Sequence, residues 1–125
     1  MNFAPLDNAS TALTDAADHY KKALAAASGI AGNRAAVQAV NARLIQTERE
    51  FLDPKGLEHR SWYRHLLYAP GFYTGYGVKT LPGVRESIEQ REYSNVEPEV
   101  QRAAAAIKRV ADTIEAAAAE LEKAR

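Results

Sequence analysis

Two histidines in the middle of the chain are of the residue type that binds zinc. His59 and His65 have Glu58 and Asp53 as possible acidic co-ligands. A zinc site needs three or four converging ligands, and the spacing of these residues is not that of an i, i+4 pair on a helix. The sequence therefore favours loop histidines that hydrogen-bond to the backbone, and it predicts no metal site.

Other chemistry is equally poorly supported. Glu48 and Glu50 could form an acid–base pair, but two residues apart on a helix they point to different sides. None of the five serines lies in a Gly-x-Ser-x-Gly setting, and the glycines lack phosphate-loop spacing. There is no cysteine. We therefore expect no catalytic residue, no cofactor, no tight zinc binding and no hydrolase activity in this chain, and we interpret His19 as a surface residue.

The bulk composition excludes further classes of protein. Sixteen basic and sixteen acidic residues cancel, so the basic footprint of a nucleic-acid binder is missing. No apolar run approaches the length of a membrane span. Residues 1–10 lack the basic and apolar regions of a signal peptide. A length of 125 residues predicts a single domain, 1–125.

Tyrosines and other aromatics offer a different kind of function. Residues 51–83 hold seven of the ten aromatics and only six charged residues. Such side chains are enriched in buried interfaces because they combine apolar area with a polar tip. We predict that Trp62 and Tyr63 anchor the segment to the rest of the domain. The candidates for loop or interface contacts are Tyr68, Phe72, Tyr73 and Tyr76.

Helical patterns flank this segment on both sides. A first helix is predicted over 6–27, capped by Asp7 or Ser10, with an apolar stripe that ends at Leu24. A second covers 34–51 and stops before Asp53–Pro54. A short third runs over 84–92, and Glu97–Pro98 begins the last. The prediction is an all-α, up-down bundle of about four helices, with a long ordered loop at 53–82 and no strand.

The last predicted helix shows the clearest periodic spacing of apolar residues. Apolar residues recur every seven positions at Val100, Ile107, Ile114 and Leu121. Alanines follow the first three of them by four residues, which gives an a/d seam over three heptads. The seam either fills an intramolecular bundle, the interpretation we favour, or forms a stand-alone coiled coil.

Three sequence blocks in the aromatic segment resemble a known family. Phe51-Leu52-Asp53-Pro54-Lys55-Gly56-Leu57 is followed by Tyr63-Arg64-His65-Leu66-Leu67-Tyr68-Ala69-Pro70, and the loop closes with Leu81-Pro82-Gly83-Val84. Their order and spacing resemble the transferrin receptor-like dimerisation domain. This is the C-terminal helical domain shared by the transferrin receptor and the glutamate carboxypeptidase II group of zinc exopeptidases.

The resemblance implies a partner domain, and it implies that the catalytic groups lie in that partner rather than in this chain. In that family the domain packs beside a protease-like domain, contributes much of the homodimer contact, and leaves zinc and the general base to the protease-like domain. A Lys-Tyr pair in the loop holds the terminal carboxylate of the substrate in the glutamate-preferring peptidases. The matching positions here are Gly75 and Tyr76, so the tyrosine is present and the cation is missing. Lys79 would supply that charge only on a different loop path.

Three functional hypotheses remain open at this point. The first is a non-catalytic dimerisation domain of a zinc-peptidase-like parent, whose loop helps to shape the parent's substrate pocket. The second is a functional fragment of such an enzyme, and the third is a stand-alone helical-bundle adaptor that binds another protein through its tyrosine-rich loop. Met1 is compatible with an excised domain and with a small gene. The resemblance is compatible with an exported or extracellular location.

Overall fold

The computed structural model describes all residues, 1–125, as a helical bundle organised around its last helix. The elements are α1 (Ala4–Ala26), α2 (Arg34–Arg49), β1 (Tyr68–Pro70), β2 (Val78–Thr80), α3 (Pro82–Glu89) and α4 (Val96–Lys123), with short 3-10 turns at Ile30–Gly32 and Tyr93–Asn95. Helices α1, α2 and α3 each pack against α4. The all-α bundle and the long ordered loop between α2 and α3 are confirmed.

Helix α1 begins earlier than predicted. Pro5 lies in its first turn, where the missing backbone donor costs nothing. The first free amide, that of Ala4, donates to Oδ1 of Asn2 at 3.0 Å, so the predicted caps at Asp7 and Ser10 are wrong. The predicted apolar stripe is also displaced, because alanines fill the buried face and Leu24 is exposed. Small side chains on this face let α1 approach α4 closely.

Helix α2 follows its sequence signals more closely. Oδ1 of Asn33 accepts a hydrogen bond from the amide of Ala36 at 3.1 Å and caps the helix. The helix ends at Arg49, four residues before Asp53–Pro54. Val40 is its buried residue and joins Ala23, Ala27, Ala118 and Leu121 in one apolar cluster. This cluster fastens α1 and α2 to the C-terminal half of α4.

Helix α4 buries more than the predicted seam. Val100, Leu121 and the three seam alanines are buried, but Ile107 and Ile114 are only partly so. Ala103, Ala106, Val110 and Ala117 are buried outside the seam. The reason is that α4 has helices on several sides, whereas an a/d seam faces one neighbour. All three apolar clusters of the domain contain residues of α4.

A small β-hairpin within the loop corrects the expectation of no strand. β1 pairs antiparallel with β2, and Ala69 lies opposite Lys79. The ladder continues beyond the strands, since the amide of Gly71 donates to the Gly77 carbonyl at 2.8 Å and that of Leu81 to the Leu67 carbonyl at 2.7 Å. Each strand has only three residues, which is too short for an alternating pattern to be recognised.

No helix in the structure combines the length and the apolar character that crossing a lipid bilayer requires.

His19 connects α1 to α4 at the protein surface. Its Nδ1 lies 2.5 Å from Oε2 of Glu115, and its Nε2 lies 2.7 Å from Oε1 of Glu122. The hydrogen bond to Glu122, followed by the one to Glu115, raises the pKa of His19 above its ordinary value of 6.5. A histidine whose pKa is higher in the folded state than in the unfolded state stabilises the fold. The stabilisation is complete at a pH below the pKa of the unfolded state, and it is lost as the pH rises through the pKa of the folded state.

We expect Glu122→Gln to lower the pKa of His19, because the substitution removes the largest cause of the shift. An NMR titration of the imidazole protons measures the pKa directly. Glu120→Gln is the matched control, since Glu120 pairs with Arg43 and Lys123 rather than with His19. An equal change in both variants would contradict the assignment.

Candidate functional site: the aromatic loop

The aromatic loop, defined as residues 51–81, is braced from inside by a buried ion pair. Arg60 and Glu86 are each over 90% buried, and Nη2 of Arg60 donates to Oε1 of Glu86. Nη1 of Arg60 donates to the Pro70 carbonyl at 2.6 Å. Oε2 of Glu86 accepts from the amide of Phe72 at 3.2 Å. One ion pair therefore holds the loop backbone on both sides of Gly71 and ties it to α3.

A second arginine fixes the start of the loop to α4. Nε of Arg102 donates to Oδ2 of Asp53 at 3.1 Å, Nη1 to Oε1 of Glu99 at 2.7 Å, and Nη2 to the Gly56 carbonyl at 2.6 Å. Burial alone would raise the pKa of Asp53, but hydrogen bonds from the Lys55 amide and from Arg102 outweigh it and lower the pKa. The carboxylate is thus held ionised as part of the scaffold.

The aromatic side chains divide into anchored and exposed groups. Tyr63 packs on the apolar cluster of Leu57 and Leu66, as predicted. Trp62 is 77% exposed, so its predicted anchoring role is wrong. In the segment 60–63, the side chains of Arg60 and Tyr63 point inward and that of Trp62 points outward. The four loop candidates are all exposed: Tyr68 (42%), Phe72 (39%), Tyr73 (79%) and Tyr76 (102%).

Gly75 and Tyr76 lie at the tip of the hairpin. Gly75 has a φ of +67°, a conformation that glycine adopts without strain, and its amide donates to the Gly71 carbonyl at 2.9 Å. Lys79 is not at the tip, because its ammonium pairs with Glu89 of α3 and its side chain is largely covered. That pairing lowers the pKa of Glu89. The alternative loop path for Lys79 does not occur, and the substrate role of Gly75 and Tyr76 stays a prediction.

The loop histidines bind carboxylates outside the aromatic loop rather than each other. Nε2 of His65 lies 2.8 Å from Oε1 of Glu48, and its Nδ1 accepts from the Leu67 amide at 3.3 Å. His59 reaches Oε1 of Glu92 at 3.0 Å. The backbone bond of His65 agrees with the sequence interpretation, whereas the carboxylate partners were missed, since they are 17 and 33 residues away. No three His, Asp or Glu side chains are arranged to hold a metal ion.

The hydroxyl of Tyr68 also contacts Glu48. It donates to Oε1 at 3.2 Å, and its ring lies 4.2 Å from the His65 ring, centroid to centroid. The charge of Glu48, and then this hydrogen bond, raise the pKa of Tyr68. Glu50 is not part of this group; its backbone carbonyl accepts from Arg109 of α4. The two carboxylates therefore form no acid–base pair.

Comparison with known proteins gives a consistent result. The profile of the "transferrin receptor-like dimerisation domain" matches residues 1–121. A probable glutamate carboxypeptidase of Arabidopsis thaliana is 37% identical over 79 residues, 58% of this chain and 12% of that protein. One from Arthroderma benhamiae is 44% identical over 59 residues, 47% of this chain and 8% of that protein.

An inactive zinc metalloprotease of Schizosaccharomyces pombe is 31% identical over 78 residues, 62% of this chain and 10% of that protein. The matched segments thus span about a tenth of the length of these relatives.

Proposed function

This chain belongs to the transferrin receptor-like dimerisation domain family, and we propose that it is the non-catalytic homodimerisation domain of a glutamate carboxypeptidase-like parent protein. The observation that carries the proposal is the match over 121 of 125 residues. In this proposal, zinc and the catalytic groups belong to the protease-like domain of the parent. That domain is the second partner of this chain, beside the other copy in the homodimer. A metal-dependent peptidase assay of this chain alone tests the claim that it is non-catalytic. Turnover of a peptide substrate would contradict the claim.

The exposed aromatics supply a contact area for dimerisation. The outer face of the hairpin presents Tyr68, Pro70 and Val78, all exposed, next to the exposed Tyr73 near its end. Contiguous apolar surface of this kind usually marks an interaction site. Most homo-oligomers are two-fold symmetric dimers in which both subunits use the same patch. The hairpin is therefore the part of the surface that we assign to the dimer.

We expect the chain to associate reversibly as its concentration rises. Sedimentation across a series up to high micromolar protein should give a mass that climbs from 13.7 kDa towards the dimer. The double substitution Tyr73→Ser, Val78→Ser removes two exposed side chains of this face and should weaken association about tenfold or more, because interface tyrosines are frequent hot spots.

The matched control is Tyr93→Ser, which removes an exposed tyrosine outside the loop. Its dissociation constant should equal that of the unmodified chain. A strict 13.7 kDa species at high micromolar concentration would contradict dimerisation by the isolated domain.

The tip of the hairpin supports a second, finer role. We propose that Tyr76 reaches into the substrate pocket of the parent, where its hydroxyl contacts the terminal residue of the substrate. The segment 71–78 contains no charged residue, and Lys79 is engaged by Glu89. A substrate carboxylate would therefore find no cation at the tip. Strong binding of a carboxylate usually depends on charge-assisted hydrogen bonds from a cationic side chain. The parent is therefore proposed to lack a preference for C-terminal glutamate.

In the full product of the gene, Tyr76→Ala should raise KM for peptide substrates while the dimer dissociation constant stays unchanged. Tyr73→Ala, three residues away and also exposed, is the control for nonspecific effects on the loop. An unchanged KM for Tyr76→Ala would refute the pocket role and leave dimerisation untouched.

A further inference from the structure

A cleft beside the hairpin has walls that suit a peptide side chain. It has a volume of about 400 Å³, and Trp62, Tyr63, Pro70 and Phe72 are among the residues that line it. This volume is in the range of small-ligand sites. The single tryptophan of the chain forms one wall and is 77% exposed. Tryptophan is among the residues enriched in binding hot spots.

The charge of the cleft has one sign. His59 and Arg60 line it, and no aspartate or glutamate does. His59 and Arg60 each contact a carboxylate, that of Glu92 and that of Glu86 respectively, but neither carboxylate lines the cleft. The basic member of each pair is therefore the one that lines the cleft. Nε of Arg60 is buried without any acceptor, so its guanidinium is incompletely satisfied.

The backbone at this place is strained. His59 has a φ of +62°, a left-handed conformation that non-glycine residues adopt at a cost. Its ring lies 5.8 Å from that of Phe72, centroid to centroid. Trp62 and Tyr63 meet edge to face at 5.9 Å. The left-handed residue thus carries an imidazole that lines the cleft, and unusual backbone conformations of this kind are concentrated at functional positions.

We propose that this cleft binds an extended segment of a partner protein in which an aromatic residue is followed by a carboxylate. The aromatic side chain would pack between Trp62 and Phe72, where ring-on-ring contacts are favourable. The carboxylate would face the imidazole of His59 and the guanidinium of Arg60, and the guanidinium complements it in charge. An amine-bearing segment would find no carboxylate in the lining and would meet the charge of Arg60 instead. This binding is distinct from dimerisation, because Pro70 alone of the residues assigned to the outer face of the hairpin also lines the cleft.

The test uses three capped peptides and the unmodified chain. The probe is acetyl-Ala-Phe-Glu-Ala-amide, and the comparison peptides replace either Glu with Lys or Phe with Ala. Trp62 is the only tryptophan, so its fluorescence reports occupation of the cleft directly. We expect saturable quenching by the probe, with affinity about tenfold higher than that of either comparison peptide.

Variants separate the cleft from the rest of the surface. Measured by calorimetry, Trp62→Ala and His59→Gln should each weaken binding of the probe at least several-fold, whereas Tyr93→Ala should leave it unchanged. Equal binding of the Lys and Glu peptides, or no loss with Trp62→Ala, would overturn the proposal. It would also be overturned if Trp62→Ala abolished self-association in sedimentation, because the occupant would then be a second copy of this chain.

Discussion

Arg60→Met is expected to lower the free energy of unfolding by about 3–5 kcal/mol, because removing one partner of a buried ion pair leaves the other charge uncompensated. The stranded group is the carboxylate of Glu86, which is 9% exposed. The substitution also removes the donor to the Pro70 carbonyl. Urea denaturation followed by circular dichroism gives the change in free energy.

Two further variants make this prediction specific. The double variant Arg60→Met, Glu86→Leu should recover much of the loss, since a well-packed apolar pair often replaces a buried ion pair at little cost. Arg85→Met removes an exposed i, i+4 partner of Glu89 on the same helix and should cost less than about 1 kcal/mol. Equal losses for Arg60→Met and Arg85→Met would show that burial does not determine the effect.

Gly56→Ala is expected to destabilise the domain by about 3 kcal/mol or more, because two independent costs combine. Gly56 has a φ of +73°, which is unfavourable for any residue with a Cβ. A Cβ at this position would also overlap the backbone carbonyl of Ser61. The backbone of Ser61 cannot move freely, since the preceding residue, Arg60, is held in the interior by Glu86 and the Pro70 carbonyl.

Gly29→Ala is the matched control for this substitution. Gly29 lies in the turn between α1 and α2 and has a negative φ, and a Cβ added to it would meet no atom within 4 Å. Thermal or urea unfolding should therefore show little change, or a small gain from the restricted unfolded chain. A loss for Gly29→Ala comparable to that for Gly56→Ala would contradict the strain argument.

The helices were predictable because their signals are local. The heptad spacing from Val100 to Leu121 identifies α4, and Asp53–Pro54 marks the stop after α2. These signals depend on steric and periodic properties that act within a few residues. They fail at the ends, as at the start of α1, where Pro5 and Asn2 define the boundary instead of the expected caps.

The interior of the loop was not predictable in the same way. Arg60 and Glu86 are 26 residues apart, and His19 and Glu115 are 96 apart. No spacing rule connects such pairs, because their contact is created by the tertiary fold. Similarly, nothing in the local sequence distinguishes the exposed Trp62 from the packed Tyr63. The candidate surface could be located from composition alone, but its cleft could not.

The central position of α4 has a consequence for biosynthesis. All three apolar clusters require side chains from this helix, and it is the last element of the domain to leave the ribosome. Until it emerges, the apolar residues of α1, α2 and the aromatic loop lack the part of each cluster that α4 supplies. The core of the nascent domain can therefore be completed only after α4 has emerged, and its unburied apolar side chains are accessible to chaperones until then.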